Sequence, residues 1–238
     1  MTESTLVLIP GMLNNASLWN AVLPALGRQV KVIVPTFSMQ DSIAAMADAV
    51  LEAVPAGAFA LAGFSMGGWV AQEIVRRARD RVSRIAFISC SSGRASVNER
   101  DMFARAIAAA PTNFEAIIER MLPMVVHPSR LEDKPLCEAA KAMWRDVGPT
   151  VYAQQCRAVM ERPDYRTQLR ELKVPVLVTC GHQDQVTPPA FARKLAGLIP
   201  SARLALVERC GHLLPLERPI ELAALLRRWL EDRETNDA

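Results

Sequence analysis

Six short apolar runs recur along this chain, each bounded by turn residues, at positions 6–9, 32–34, 59–63, 85–89, 176–179 and 204–207. Runs that are apolar at every position are typical of strands buried on both faces of a parallel sheet. Amphipathic helical patterns separate most of them, at positions 17–26, 42–54, 69–79 and 217–229. This alternation predicts an α/β fold with a six-stranded, mainly parallel sheet flanked by helices.

The alternation stops between residues 94 and 166, where four helical segments are predicted instead, at 98–110, 112–121, 131–147 and 150–161. Thr112 and Glu115 have the spacing of a capping box at the start of the second segment. We expect residues 94–166 to form a helical cap over the carboxyl edge of the sheet, where open α/β sheets bind ligands. Residues 1–93 and 167–238 then form the α/β core. The polar end, 231–238, is predicted to fray.

The composition narrows the class of protein further. The 238 residues are 50% hydrophobic, which is enough for one such domain with a sizeable core. A net charge of +3 with 5% aromatic residues argues against a nucleic-acid partner. Five cysteines without metal-ligand spacing indicate reduced thiols in a cytoplasmic protein. We find no signal-peptide, membrane-span, phosphate-loop or metal motif, and expect a monomer or homodimer that needs no cofactor and binds no membrane.

One motif carries chemistry directly. Gly63-Phe-Ser-Met-Gly67 fits the pattern G-x-S-x-G and lies between a predicted strand and a predicted helix. A serine on such a sharp turn stands clear of the sheet, and side chains two residues before or after it would collide with neighbouring elements. Gly68 allows close packing of the helix on the strand. The motif predicts that Ser65 is a nucleophile.

A serine hydroxyl needs a base to take its proton, and the chain has only three histidines. Triads on this kind of sheet follow the chain order serine, acid, histidine, each at the end of a different strand. Only Ser65, Asp184 and His212 satisfy that order, and we predict that they form a triad. His182 remains an alternative base and Glu208 an alternative acid.

The tetrahedral intermediate of acyl transfer requires two N–H donors for its oxyanion. Met66, at the start of the helix after Ser65, is predicted to supply one. The loop after the first strand is predicted to supply the other from Met12, since Gly11 lets the backbone approach closely.

With these motifs in order over nearly its full length, the chain resembles a small capped member of the α/β-hydrolase superfamily. The spacing Gly11-Met-x-x-Asn15-x-x-x-Trp19 is similar to the oxyanion turn of carboxylesterases that cleave pimeloyl-carrier-protein methyl ester. The segment GFSMGGWVAQEIVRRARDRV is similar to that of 3-oxoadipate enol-lactonases. The resemblance implies this fold and hydrolysis through a serine, histidine and aspartate triad.

The substrate is predicted from candidate pocket residues that are mostly apolar: Leu13, Cys90, Met121, Met124, Trp144 and Leu213. Such a lining fits a small, mostly apolar carboxylic ester cleaved through an acyl-enzyme. An enol-lactone or C–C bond hydrolase, a cofactor-free haloperoxidase or hydroxynitrile lyase, and a non-catalytic ligand receptor remain alternatives. The predicted cap holds 11 basic and 10 acidic residues, a balance that gives no support for docking an acidic carrier protein.

Overall fold

Six strands form the central sheet of the computed structural model, which describes residues 4–27 and 30–231. They are β1 (Ser4–Ile9), β2 (Val30–Ile33), β3 (Phe59–Phe64), β4 (Val82–Ile88), β5 (Val176–Gly181) and β6 (Ala202–Val207). Their order is β2–β1–β3–β4–β5–β6, and every described neighbouring pair is parallel. The predicted α/β fold is confirmed. The end predicted to fray lies outside the described residues from position 232 onward.

The strand order creates a crevice at the carboxyl edge of the sheet. β1 and β3 are hydrogen-bonded neighbours, but the chain runs from β1 to β2 on one side and from β3 to β4 on the other. The connections that follow β1 and β3 therefore diverge, and ligands bind at such points in open α/β sheets. The loop beginning at Pro10 and the turn at Ser65 lie at this divergence.

Alternate residues of each strand face opposite sides, so the sheet separates two apolar clusters. On β1, Leu6 and Leu8 belong to one cluster, and Val7 and Ile9 belong to the other. Helices outside the long insertion cover both sides: α1 (Leu23–Leu26), α2 (Ile43–Ala53), α3 (Met66–Ala78), α6 (Arg166–Leu169), α7 (Pro189–Leu198), α8 (Leu214–Glu217) and α9 (Pro219–Glu231). No helix in the described residues is long and apolar enough to cross a membrane.

Two predicted helices differ from the observed ones. The helix predicted at 17–26 is wrong, because the structure has a 3₁₀ turn, Ala16–Trp19, followed by the short α1. Pro24 lacks the N–H that would bond the carbonyl of Asn20, so the hydrogen bonding of a helix over 17–26 is interrupted there. The helix predicted to begin at Glu217 begins at Pro219, and Glu217 instead ends α8.

Two long helices, α4 (Val97–Val125) and α5 (Lys134–Met160), fill the insertion between β4 and β5. The four predicted segments are their halves, because each helix is interrupted at one residue only. α4 has non-helical backbone angles at Asn113, and α5 has a positive φ of 78° at Gly148. α4 and α5, called the inserted helices below, pack against each other.

The capping box predicted at Thr112 and Glu115 is wrong. Ser96 and Glu99 form the capping box of α4 instead, with each side chain bonding the backbone of the other residue. The hydroxyl of Thr112 accepts from Asn113 Nδ2 at 3.3 Å instead of from the N–H of Glu115. Glu115 forms an ion pair with Arg145 of α5.

Candidate active site

Ser65 stands on a strained turn between β3 and α3. Its backbone angles are φ 50° and ψ −115°, a conformation that costs a serine free energy. A Cβ at Gly63 would lie 2.3 Å from the carbonyl oxygen of Gly67, and one at Gly67 would lie 2.4 Å from that of Ile9. A Cβ at Gly68 would meet the sulfur of Cys90 at 2.2 Å. The three glycines therefore allow the close contacts that hold the turn in place.

Three side chains from three strand ends meet at this turn. His212 Nε2 lies 3.0 Å from Ser65 Oγ, and His212 Nδ1 lies 2.9 Å from Asp184 Oδ2. Asp184 and His212 are 3% and 5% exposed. An ionised carboxylate only accepts hydrogen bonds, so the ring proton is on Nδ1 and Nε2 accepts from the serine hydroxyl. The structure thus joins Ser65, His212 and Asp184 in one hydrogen-bonded chain.

The loop after β5 fixes the carboxylate of Asp184. Oδ1 accepts from the backbone N–H groups of Val186 and Thr187, at 2.9 and 2.8 Å, and Oδ2 accepts from the Thr187 hydroxyl at 2.8 Å. Burial alone would raise the pKa of Asp184. His212 and the Thr187 donors more than offset that effect and hold the pKa below its usual range. Thr187 was not identified from the sequence. An aspartate followed three residues later by a threonine is a turn pattern that indicates such a contact.

The loop carrying His212 is held by the end of α4. The N–H of His212 donates to the carbonyl of Val125 at 2.7 Å, and the carbonyl of His212 accepts from Ser89 Oγ at 3.2 Å. A Cβ at Gly211 would lie 2.8 Å from the same Val125 oxygen, and one at Gly181 would lie 2.1 Å from the Gly211 oxygen. Glycine at both positions lets the loop fit between β5 and the inserted helix.

A buried acid, Glu217, also holds this loop. It is 2% exposed and accepts from the N–H of Gly211 at 2.9 Å and from that of His127 at 2.8 Å. Burial raises the pKa of Glu217, and the two N–H donors offset this only in part. Sequence reasoning missed this residue, because an acid near the start of a predicted helix is usually a solvated one.

Two backbone N–H groups without an acceptor among the described residues lie on the segments that border Ser65. Within the part of the chain that the structure describes, the N–H groups of Met12 and Met66 donate to no protein acceptor. A Cβ at Gly11 would lie 2.8 Å from the ring of Phe64, which places the loop after β1 against the residue before Ser65. This contact places both unpaired N–H groups on the segments that border the serine.

The alternative base and acid lie elsewhere and pair with each other. His182 Nδ1 is 2.6 Å from Glu208 Oε1, and both side chains are exposed. In the described residues, neither of them bonds Ser65, Asp184 or His212. The structure therefore places Asp184, and not Glu208, beside His212.

The six candidate pocket residues do not share one environment. Leu13, Trp144 and Leu213 are buried in the apolar cluster that includes the inserted helices, and Met121 packs against that cluster. Cys90 is buried against α3 on the other side of the sheet, and burial raises the pKa of its thiol to about 12. Met124 is 54% exposed, which does not fit the wall of an enclosed pocket. No group of three or more metal-ligating side chains occurs among the described residues.

The arrangement is that of the α/β-hydrolase class. A serine lies on a strained turn after an inner strand of a parallel sheet, and an acid and a histidine follow two further strands. The sequence profile of a family described as "alpha/beta hydrolase family" matches residues 6–225 of this chain, in agreement with that arrangement. The chain belongs to the alpha/beta hydrolase family.

Relatives in this family include esterases. The chain is 25% identical to the pimeloyl-(acyl-carrier protein) methyl ester esterase of Nitrosomonas europaea, with 87% of this chain and 88% of that protein covered. It is 27% identical to the corresponding esterase of Aromatoleum aromaticum, over 95% and 98% of the two chains. A thermophilic esterase from Thermogutta terrifontis superposes with a TM-score of 0.86 at 25% identity, over 95% and 89%. The enol-lactonase of Burkholderia xenovorans has a TM-score of 0.87 at 22% identity, over 98% and 93%, which shows the shared fold.

Proposed function

We propose that this hydrolase cleaves a small, mostly apolar carboxylic ester through an acyl-enzyme on Ser65. The observation that carries the proposal is the hydrogen-bonded chain from Asp184 through His212 to the Ser65 hydroxyl. A serine bonded to a base that is itself oriented by a carboxylate is the arrangement that activates a hydroxyl as a nucleophile.

Acylation begins when His212 Nε2 takes the proton of Ser65 as its Oγ attacks the ester carbonyl carbon. The carbonyl oxygen becomes an oxyanion, which accepts from the N–H groups of Met12 and Met66. The imidazolium that forms is stabilised by Asp184, whose lowered pKa keeps it ionised at neutral pH. The intermediate then collapses: the bond to the alkoxy oxygen breaks, and the leaving alcohol takes the proton from Nε2.

Deacylation repeats these steps with water. His212 Nε2 removes a proton from the water as its oxygen attacks the acyl carbon bound to Ser65, and the same two N–H groups bind the second oxyanion. Breakage of the bond to Oγ releases the carboxylic acid, and the proton on His212 returns to the serine.

The charges of the inserted segment favour an uncharged substrate. Within the described residues, no arginine of the segment 94–166 is both buried and unpaired. Five of them form ion pairs: Arg100–Glu161, Arg130–Asp133, Arg145–Glu115, Arg162–Glu99 and Arg166–Asp164. The remaining ones, at positions 94, 105, 120 and 157, are exposed. A carboxylate deep in the site would therefore find no buried, unpaired arginine in this segment, and burying it without a partner would be costly.

The ester bond itself is supported by the relatives, whose names give a methyl ester as their substrate. We propose that residues 94–166 act as the cap over this site. Because this segment has nearly equal numbers of basic and acidic residues, we propose that the substrate is not carried by an acidic carrier protein. The enol-lactone, C–C bond, haloperoxidase and lyase reactions are the competing outcomes of the test.

The test is a substrate panel of matched size. Uncharged p-nitrophenyl and methyl esters of short acids are compared with the half-esters of dicarboxylic acids, with lactones and with vinylogous diketones. We expect turnover of the uncharged esters by the wild-type protein and loss of at least about 10³-fold in kcat for Ser65→Ala. Ester turnover that survives in Ser65→Ala would contradict the assignment of Ser65 as the nucleophile. A preference for lactones or diketones would contradict the proposed substrate class.

A further inference from the structure

The loop that follows β1 is held from outside the core by α5. The backbone N–H of Leu13 donates to Gln155 Oε1 at 2.8 Å, across a sequence separation of 142 residues. Asn15 Nδ2 donates to Asp146 Oδ2 at 2.6 Å, again on α5. The inserted helix therefore contacts the backbone next to Met12, whose N–H is the proposed oxyanion donor.

The bond from Leu13 matters because the turn around it is strained. Asn14 N–H donates to the carbonyl of Gly11 at 3.1 Å, which closes a four-residue turn with Met12 and Leu13 at its centre. Leu13 has a φ of 59°, a conformation that glycine adopts readily and leucine does not. Without an external bond, the turn would relax by rotating the peptide between its two central residues.

Gln155 supplies that external bond from a buried position. Its side chain is 1% exposed, and Leu13 is fully buried, so water does not replace the acceptor if it is removed. A buried N–H without an acceptor is unfavourable, and this favours a different arrangement of the turn. Such a rotation turns the carbonyl of Met12 about its Cα, the atom that the Met12–Leu13 peptide shares with the Gly11–Met12 peptide, which carries the Met12 N–H.

We propose that Gln155 is a positioning residue for the oxyanion site: its amide oxygen holds the Met12–Leu13 peptide and through it the Cα of Met12, so that the N–H of Met12, on the preceding peptide, is directed at the oxyanion. This inference rests on the proposed function. It gives the inserted helices a part in stabilising the transition state, in addition to covering the substrate.

The oxyanion exists only after attack by Ser65, so a displaced donor weakens the transition state and not the bound ester. Removing an oxyanion donor lowers kcat by about 10²–10³-fold, and a misdirected donor retains part of its effect. Loss of Gln155 should therefore lower kcat with little change in KM. A trifluoromethyl ketone, which forms a tetrahedral adduct with the serine, should lose affinity by the same factor.

The experiment compares matched substitutions at adjacent positions of α5. Gln155→Met keeps the length of the side chain but removes the amide oxygen, and Gln155→Glu keeps an oxygen acceptor. Gln154→Met is the control, since Gln154 is the next residue and its amide oxygen bonds nothing in the described chain. Titration of the active sites with a fluorophosphonate corrects each measured rate for the fraction of folded protein. If Gln155→Met does not fold, Gln155→Leu replaces it.

We expect kcat of Gln155→Met to fall about 10- to 100-fold with KM within about threefold of wild type. The trifluoromethyl ketone should weaken in parallel, Gln155→Glu should regain most of kcat, and Gln154→Met should match wild type. Equal losses for the two methionine variants, or a loss confined to KM, would overturn the proposal. Ester turnover that survives in Ser65→Ala would contradict the proposed function itself. If Ser65→Ala is inactive and Gln155→Met is fully active, only the proposed role of Gln155 is contradicted.

Discussion

Glu217 Oε1 accepts a 2.9 Å hydrogen bond from the backbone N–H of Gly211, the residue that precedes His212. The other oxygen of the same carboxylate accepts from His127, in the loop after α4. One buried carboxylate thus joins the histidine loop to the inserted helices. We predict that Glu217→Leu, which leaves both N–H groups unpaired, lowers the free energy of unfolding by about 2–6 kcal/mol. Urea denaturation measures the change, and a stability equal to wild type would show that these bonds are not needed.

The pH dependence of stability gives a second test of Glu217. Its pKa is raised above the ordinary value of 4.5, chiefly by burial, so the native state holds this proton more tightly than the unfolded chain. Its contribution to stability is therefore fully present below that value and is lost as the pH rises through the raised pKa. Glu217→Gln cannot ionise, so we expect the stability of wild type relative to this variant to decrease as pH rises in that window. Urea denaturation over a pH series checks the sign, and an increase with pH would contradict it.

Asp184 is predicted to orient His212 and stabilise its charged form. Asp184→Asn keeps the shape of the side chain but favours the wrong ring tautomer, and we expect kcat to fall by about 10⁴-fold. The control is Glu208→Gln, which we expect to retain kcat within about tenfold, since Glu208 pairs with the exposed His182. Steady-state kinetics with an uncharged ester separates the two. A near-normal rate in Asp184→Asn together with a large loss in Glu208→Gln would transfer the acid's role to Glu208.

The three histidines give a direct test of the base. His212→Ala should abolish measurable turnover, since no other described side chain within hydrogen-bonding distance of Ser65 can accept its proton. His182→Ala and His127→Ala should change kcat by less than about tenfold, because their rings bond Glu208 and Ser129. If His182→Ala is the inactive variant, the assignment of the base is wrong.

The close packing of the turn at Ser65 is tested by two glycine substitutions. Both Gly67 and Gly197 lie in helices, where alanine is intrinsically favoured by about 0.5–1 kcal/mol. A Cβ at Gly67 would lie 2.4 Å from a backbone oxygen, whereas a Cβ at Gly197 would meet nothing within 4 Å. We expect Gly67→Ala to destabilise the fold by about 1–3 kcal/mol and Gly197→Ala to stabilise it slightly. Thermal unfolding measures both, and equal shifts of the same sign would contradict the packing argument.

The sequence predicts the sheet well because each buried strand is a continuous apolar run between turn residues. The breaks in the inserted helices are predicted closely: Gly148 lies between the predicted segments 131–147 and 150–161, and Asn113 lies two residues after Pro111. Pro111 precedes a segment that looks like a new helix, yet α4 continues past it and deviates only at Asn113.

The three side chains of the predicted triad follow from motif and chain order, whereas the residues that hold the loops around the site do not. Gln155 and Glu217 act by accepting hydrogen bonds from backbone N–H groups. Because almost every residue has such a group, the sequence does not indicate which one they bind. Gln155 is 142 residues from its partner. Only the packing of α5 against the loop after β1 reveals that contact.

The most direct measurement is the site of reaction of a fluorophosphonate, located by mass spectrometry of the labelled peptides. We predict one adduct per chain, on Ser65, with labelling greatly slowed in His212→Ala and absent in Ser65→Ala. An adduct on another residue, or undiminished labelling of Ser65→Ala, would contradict the assignment of Ser65 as the nucleophile.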